Sequence, residues 1–403
     1  MRPLFIADAT VFAATGALHE RSHVLIEDGR IAALGPDARR PSDAEVIDAG
    51  GRFVMPGLID AHTHLALPVV PERKEPHPDV PFLAARAARI MLASGVTCAR
   101  DVGGNNHADL ALKRALARGD VVGPRMLACG QAIVPTGGHI HYFCAEADGP
   151  DEVTKAVRTQ IKAGADWIKL MISGGIANIE EQPDELAFSR EEIAAAVAAA
   201  RAKGRRVAVH AYPAEAIRIA AELGVASVEH AVDMDERAIE ALKQHGTVIV
   251  PTHAVYESLA NDSHGRWPQL APVARRVLER KETPLRAALE QGVKVGVGTD
   301  CGRHYPHDEI VRELELLHRL GMSDEQVLTA TTRTNAELLG VAHMLGTLEP
   351  GKLADLLLVP GDPLGSLGAL RSIDEIILGG RRINPSALHS LTGPLVPLFR
   401  PSA

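Results

Sequence analysis

Between Gly57 and about Gly340, the chain alternates short apolar segments with helical windows. Eight of these segments have the length and composition of buried strands: LIDAHTH, VTCARD, RMLACG, DWIKLM, RVAVH, ASVEH, TVIVPT and VKVGVGTD. Eight strands, each followed by a helix and with no second strand cluster, predict an α/β fold whose parallel sheet closes as a (β/α)8 TIM-type barrel. The competing fold, an open doubly wound sheet, should carry a glycine-rich phosphate loop after its first strand. The segment AHTHLALP is not such a loop.

The segments on either side of this region are rich in predicted strands. HVLIEDGRIAALG carries Asp28-Gly29 between two apolar runs, which predicts a hairpin because both central residues of such a turn favour positive φ. Near the other end, ADLLLVPG predicts a strand and IDEIILGGRRIN predicts a hairpin through Gly379-Gly380. Neither segment has enough strands to bury a face alone, so we expect the two to pair. We therefore predict a barrel domain from residues 58–344 and a small domain from residues 1–57 plus 345–403.

Composition excludes several classes of protein. Hydrophobic residues make up 46% and charged residues 23% of the 403 residues, which is typical of a globular protein and not of a disordered one. The net charge of −8 gives no electrostatic reason to expect nucleic acid or an anionic membrane as a partner. The four cysteines include no CxxC pair. With no secretory signal and no membrane-spanning stretch in the sequence, we expect a soluble cytoplasmic protein.

Titratable residues fall at or near the carboxyl ends of the predicted strands, which is where barrel enzymes build their active sites. Side chains alternate between the two faces of a strand, so Asp60, His62 and His64 share one face of the first. The other strands that carry such residues are the fourth, fifth, sixth and eighth, with Lys169, His210, His230 and Asp300. We expect these side chains to converge.

This set of residue types is suited to binding metal ions. Two histidines at i and i+2 project in parallel and can chelate one cation, and imidazole with carboxylate suits zinc and neighbouring divalent metals. A protonated Lys169 would be repelled by such ions, which favours the neutral amine. A neutral amine can react with carbon dioxide to form an anionic carbamate with two oxygens, so we hypothesise that Lys169 is carboxylated and bridges two ions. Taken singly, each histidine is more often a packed core residue, and it is the joint placement that favours the metal site.

The order and local sequences of these residues resemble the amidohydrolase superfamily, in its binuclear branch with a bridging carboxylated lysine. The matching segments are IDAHTHL, WIKLM, VAVHAY, SVEHA and GVGTD. VLIEDGRIAALG and GTLEPGKLADLLLV, which flank the barrel, resemble the small β-sandwich domain that these enzymes carry. The resemblance covers nearly the whole chain.

The resemblance implies a ligand set and a mechanism. His62, His64 and Asp300 would bind one divalent ion, His210 and His230 the other, and carboxylated Lys169 both; zinc is the expected metal. A hydroxide held between the ions would be the nucleophile. Asp300 would orient it, accept its proton and deliver that proton to the leaving amine.

Two further segments resemble the branch that contains Xaa-Pro dipeptidases, carboxypeptidases of N-acyl amino acids, and ochratoxin- or molinate-hydrolysing relatives. PTGGHIHYF would place His139 to bind substrate, with His141 either a second pocket donor or a surface residue. VPTHAVYESL would place Tyr256 to polarise the scissile carbonyl. Cys301 is expected to be a buried small residue and not a nucleophile. His253 is likewise either an extra pocket donor or a surface residue, His307 resembles a recurrent family position with a loop-ordering role, and no role is assigned to His304.

We therefore expect a binuclear amidohydrolase that cleaves an amide of a dipeptide or an N-acyl amino acid. A lactone, ester or carbamate hydrolase would use the same ligands and stays open. Ring deamination is disfavoured, because deaminases of this superfamily usually lack the lysine of the fourth strand. A non-catalytic scaffold is disfavoured because no ligand is missing. A small molecule is the expected partner, and homo-oligomerisation is left open.

Overall fold

The computed structural model describes residues 2–16, 18–67, 79–177, 182–262, 265 and 267–390, without the side chains of the last two. The predicted C-terminal part of the small domain lies outside the described residues beyond position 390.

Strands and helices alternate through the middle of the described chain and strands dominate its two ends. The strands are β1 (Leu4–Phe12), β2 (Leu18–Glu27), β3 (Arg30–Gly35), β4 (Glu45–Asp48), β5 (Phe53–Pro56), β6 (Leu58–Thr63), β7 (Val96–Asp101), β8 (Arg125–Ala128), β9 (Ile133–Val134), β10 (Ala145–Glu146), β11 (Trp167–Met171), β12 (Arg206–Ala211), β13 (Ser227–His230), β14 (Val248–Val250), β15 (Leu356–Val359), β16 (Glu375–Leu378) and β17 (Arg381–Ile383). The α-helices are α1 (Val80–Ala93), α2 (Ala108–Arg118), α3 (Gly149–Ala163), α4 (Arg190–Arg201), α5 (Ala214–Glu222), α6 (Glu236–His245), α7 (His253–Asn261), α8 (Ala271–Glu290), α9 (Ile310–Arg319), α10 (Asp324–Thr329), α11 (Asn335–Leu339) and α12 (Pro385–Ser390). A π-helical turn, Ala330–Thr334, joins α10 to α11.

The strands of the two chain ends form one eight-stranded sheet. Its order is β17-β16-β15-β5-β1-β2-β3, with β4 paired to β1. The antiparallel pairing of β5 with β15 joins the two ends. Asp28 and Gly29 both have positive φ, +48° and +77°, in the turn between β2 and β3, which confirms the predicted hairpin. Gly379 and Gly380 likewise turn β16 into β17.

Two parallel sheets make up the middle of the chain. One has the order β6-β7-β8, and in the other β11, β12, β13 and β14 lie side by side in parallel, with β9 and β10 at the edge next to β11. The amide of Asp166 donates to the carbonyl of Ala128 at 2.8 Å and so links the end of β8 to the start of β11. The described part of the chain therefore has mixed α/β content with parallel sheets, consistent with a TIM-type fold.

The predicted eighth strand is not regular, and this corrects the sequence prediction. Only isolated bridges form within it, at Val295 and Cys301. Its backbone nevertheless bonds to β14 on one side and to β6 on the other: the Gly296 amide donates to the Ile249 carbonyl at 2.9 Å, and the Ala61 amide donates to the Val297 carbonyl at 2.9 Å.

The irregularity has a physical cause in a side chain from α11. The side-chain amide of Asn335 lies between this segment and β6. Its oxygen accepts from the Val297 N–H at 3.1 Å, and its nitrogen donates to the Ile59 carbonyl at 2.6 Å. These bonds replace part of the ladder, and Gly296 makes room for them, since a Cβ there would lie 2.6 Å from the Asn335 side-chain oxygen. The sequence pattern predicted where this segment lies, but not that side-chain hydrogen bonds replace some of its backbone hydrogen bonds.

The helices begin and end where local chemistry predicts. Ser189 and Glu192 form a reciprocal capping box at the start of α4. Gly246 ends α6 with φ +66°, a conformation that costs glycine little. The apolar faces of the helices pack on fully buried strands such as β6, β7 and β11. Within the described residues, none of the helices combines the length and the hydropathy needed to span a bilayer.

Candidate metal centre and active site

His62, His64 and Asp300 meet at the carboxyl end of β6. The Nε2 atoms of His62 and His64 each lie 3.3 Å from Oδ1 of Asp300, and the three candidate ligand atoms all lie within 4.8 Å of one another. Asp300 reaches this point with a φ of +56°, a backbone conformation that is uncommon outside glycine and clusters at functional sites. Burial alone would raise the pKa of Asp300, but the two histidines hold it well below its usual value. The carboxylate is therefore ionised.

Hydrogen bonds at Nδ1, on the side away from Asp300, fix the tautomers of these two histidines. Nδ1 of His62 lies 2.6 Å from the Glu229 carboxylate, and Nδ1 of His64 lies 2.9 Å from the Gly103 carbonyl. Both partners can only accept, so each Nδ1 carries a proton, and each Nε2 faces Asp300 across the position that a cation would occupy. Such outer partners orient metal-ligating histidines and raise their basicity.

His210 and His230 form a second pair beside the first. Their ring centroids are 4.7 Å apart, and those of His62 and His230 are 5.1 Å apart. Nε2 of His210 donates to the Gly174 carbonyl at 2.8 Å, which leaves its Nδ1 as the lone-pair atom. Nδ1 of His230 bonds to the Thr252 hydroxyl at 2.7 Å. Burial, followed by nearby histidines and Lys169, lowers the pKa of both rings well below 6.5, so both are neutral and able to bind a cation.

Lys169 lies among these groups and has no hydrogen-bond partner within the described part of the chain. It is 1% exposed, and its buried Nζ is not hydrogen-bonded to any described residue. Burial lowers its pKa to about 8. A buried amine without an acceptor is costly, so the residue requires a further component at this place. Four neutral or oriented imidazoles, one carboxylate and this amine fit a pair of divalent cations with a modified lysine between them.

A buried ionic network supports the candidate metal centre. The sequence analysis assigned no role to its residues. Glu229 accepts from Nη2 of Arg100 at 2.9 Å and from the Ser227 hydroxyl at 2.5 Å, in addition to its bond with His62. Arg100 also donates to the Ala61 carbonyl at 2.6 Å. Burial would raise the pKa of Glu229, but Arg100 together with His62 and Lys169 outweighs this effect and keeps the carboxylate ionised. The charged residue directly before the histidine in SVEHA was the available signal.

The predicted substrate residues lie at different depths. The His139 ring stacks on the His210 ring with centroids 4.4 Å apart. The Tyr256 hydroxyl lies 2.6 Å from that of Tyr212, a residue to which the sequence analysis assigned no role. These side chains line an inner cavity of about 100 Å³ together with the six candidate ligands. His141 is exposed and lines only a neighbouring outer cavity of about 760 Å³.

Four residues whose role the sequence left open also have defined places. Cys301 is 1% exposed, and burial raises the pKa of its thiol well above its usual value, which does not suit a nucleophile. His253 is buried behind Tyr256 and does not line the inner cavity, whereas His304 does line it. Nε2 of His307 is buried without a partner, outside both cavities.

Comparison with known proteins gives consistent matches. The family model described as the Amidohydrolase family matches residues 53–383. Among solved structures, a Xaa-Pro dipeptidase with methionine bound in its active site is 29% identical, with a TM-score of 0.88 over 95% of this chain and 100% of its own. A prolidase complexed with N-methylphosphonate-L-proline is 28% identical, with a TM-score of 0.88 over 95% of this chain and 99% of its own.

A curated relative agrees. Ochratoxinase of Aspergillus niger is 28% identical over 373 residues, which cover 81% of this chain and 75% of the relative. Its crystal structure matches with 25% identity and a TM-score of 0.86, over 95% of this chain and 96% of that one.

Proposed function

The chain belongs to the amidohydrolase family, and from this premise we propose that it is a binuclear metal-dependent hydrolase that cleaves the amide bond of a dipeptide or an N-acyl amino acid. The family and the neighbouring structures support an enzyme that hydrolyses amide bonds. The observation that carries the finer proposal is the unpartnered amine of Lys169 among four histidines and Asp300.

The proposal includes the architecture around the site. Residues 58–344 form a (β/α)8 barrel that the segment after α8 closes between β14 and β6. Residues 1–57 and 345–403 form a β-sandwich domain. The hydrogen bonds of Gly296 and Ala61 across this segment, and the pairing of β5 with β15, support it.

Six side chains would hold two divalent cations, with zinc the metal that their nitrogen and oxygen donors suit best. His62, His64 and Asp300 would hold one, His210 and His230 the other, and carboxylated Lys169 both. When bound, the ions supply Lewis acidity and make water nucleophilic near neutral pH. The neutral state of His210 and His230 and the ionised state of Asp300 support this assignment.

Side chains of the protein carry out proton transfer, polarisation of the carbonyl and substrate binding. The Asp300 carboxylate accepts the proton of the attacking water and delivers it to the leaving amine nitrogen. The Tyr256 hydroxyl, directed by its bond to Tyr212, donates to the carbonyl oxygen as negative charge develops there. His139, held against His210, contributes a ring nitrogen to substrate binding.

Substrate choice is supported by the neighbours. Two of them act on, or bind analogues of, compounds in which an acyl group is joined to an amino acid nitrogen. A phosphonate on the proline nitrogen places a tetrahedral group where a carbonyl carbon would stand, as expected of a site that is complementary to a transition state.

The test is a hydrolysis screen on zinc-loaded protein with dipeptides, N-acyl amino acids and lactones, coupled to metal analysis. We expect amide hydrolysis that Asp300→Asn abolishes without loss of fold by circular dichroism. Asp308→Asn, a change at an exposed carboxylate in the same loop, should retain turnover. A folded protein that binds no metal and cleaves none of the compounds would reject the proposal, and turnover of lactones alone would replace the amide substrate.

A further inference from the structure

Arg303 lies beside the candidate metal centre because of close backbone packing. Gly302 has a φ of +155°, and a Cβ at that position would lie 2.8 Å from the Cβ of His64. The His64 amide donates to the Cys301 carbonyl at 2.8 Å. The chain just before Arg303 is therefore fixed against one of the predicted ligands.

The guanidinium of Arg303 is held in one orientation. Its Cζ lies 4.9 Å from the centroid of the Trp267 ring, and the ring of His304 meets the same indole edge-on with centroids 5.0 Å apart. A cation over an indole face is attracted by the ring quadrupole and loses rotational freedom. Arg303 is thus placed before any ligand arrives.

No part of the described protein neutralises this cation. Among the described residues, Arg303 has neither an ion-pair partner nor a hydrogen bond, and its Nε is removed from solvent without an acceptor. A guanidinium stays charged at all accessible pH values, and its parallel N–H groups match the two oxygens of a carboxylate. Arg303 as a whole is partly exposed, but its Nε is a desolvated donor, which indicates that an external acceptor binds this side of the guanidinium.

The residues that line the two cavities indicate the chemistry of the ligand that carries this acceptor. Arg303 lines both the inner cavity, which contains Lys169 and Asp300, and the outer cavity. Much of the inner wall is apolar and is formed by Leu67, Phe143, Ile176, Val255, Leu259 and Leu270. A ligand that reaches from the metal centre to Arg303 therefore needs an anionic group and an apolar group close to each other.

We propose that Arg303 binds the carboxylate of the substrate's amino acid half, so that the enzyme selects acyl amino acids with a free carboxylate and an apolar side chain. This inference rests on the proposed function and specifies its substrate class. Arg303 is a binding residue whose bond to the carboxylate fixes the position of the acyl nitrogen relative to Asp300 and Tyr256.

Calorimetry on the zinc-loaded protein tests this without turnover. The probes are N-methylsulfonyl-L-leucine and N-methylsulfonyl-L-leucinol, which resist hydrolysis and differ only in the carboxylate. We expect the wild-type protein to bind the acid roughly 10- to 100-fold more tightly than the alcohol, the range expected for a hydrogen-bonded charge pair. Arg303→Met should abolish this preference, Arg303→Lys should keep part of it, and Arg237→Met, a change at an exposed arginine, should leave it intact.

Several results would overturn the inference. They are failure of the acid to bind, equal binding of the two probes to wild-type protein, or a preference that survives in Arg303→Met because the metals alone hold the carboxylate. Folding of each variant is checked by its melting temperature, and Arg303→Lys supplies the comparison if Arg303→Met does not fold. An Arg303-dependent preference without hydrolysis of any acyl amino acid would reject the proposed function alone, whereas hydrolysis with no such preference would reject this inference alone.

Discussion

Glu229→Gln is the most informative single change, because Glu229 links the stability of the parallel-strand core to the orientation of His62, a candidate metal ligand. The carboxylate is fully buried and accepts from Arg100, Ser227 and His62 at 2.9, 2.5 and 2.6 Å. Glutamine has the same shape but no charge, and one of its two terminal groups can only donate. The change therefore leaves Arg100 buried without its counter-ion and places an N–H₂ against one of the three donors.

The magnitude follows from these contacts. Breaking a buried ion pair by removing one partner costs about 3–5 kcal/mol. The glutamine oxygen still accepts one or two of the bonds, so we expect a loss near the lower limit, about 3 kcal/mol in the free energy of unfolding. If the amide faces His62, the ring must carry its proton on Nε2 and not on Nδ1, which removes the Nε2 lone pair that would bind a metal ion. Losing such an outer partner typically lowers metal affinity about 10- to 100-fold.

The assay is urea unfolding of metal-free protein followed by circular dichroism, together with zinc titration against a chromophoric chelator. Glu222→Gln is the matched control, because Glu222 is likewise paired with arginine, bonding Arg190 and Arg218 at 2.7 Å each, but is partly exposed. That change should cost less than about 1 kcal/mol and leave zinc affinity unchanged. If Glu229→Gln behaved like this control in both measurements, the argued role of the buried network would be wrong.

Three further predictions concern single residues. Lys169→Ala should reduce the zinc content by mass spectrometry from about two ions per chain to one or fewer, since it removes the shared ligand; two retained ions would contradict the bridging role. Tyr256→Phe should lower kcat about 10²-fold with little change in KM, because its hydroxyl stabilises charge that develops in the transition state; an unchanged kcat would mean that the hydroxyl serves only its bond to Tyr212. Burial lowers the pKa of His253 to about 3, so between there and about 6.5 the unfolded chain binds a proton that the native protein excludes. The contribution of neutral His253 to the free energy of unfolding is complete above about pH 6.5 and falls by about 1.4 kcal/mol for each pH unit below that. His253→Asn should remove this part of the pH dependence in urea unfolding, and a change at the exposed His343 should not.

Local sequence patterns were sufficient for the order of elements and for predicting which candidate side chains line one inner cavity. The hairpin at Asp28-Gly29 depends only on the φ preferences of two adjacent residues, and the parallel projection of His62 and His64 depends only on the pleat of one strand. These features are local, so the sequence carries them directly. The pattern of the eighth strand was less reliable, because Asn335 from a distant helix takes over bonds that a neighbouring strand would make.

The sequence by itself determined which residue types arrive at the ends of the parallel strands, since hydrophobic periodicity fixes the strands and alternation fixes the faces. Tertiary structure alone decided which atom of each imidazole faces the centre, because the partner that holds the proton of His62 lies 167 residues away in the chain. It also decided that Nζ of Lys169 and Nε of Arg303 are buried without an acceptor among the described residues. Hydrogen bonding and desolvation depend on distances between remote segments, and no pattern of neighbours along the chain encodes them.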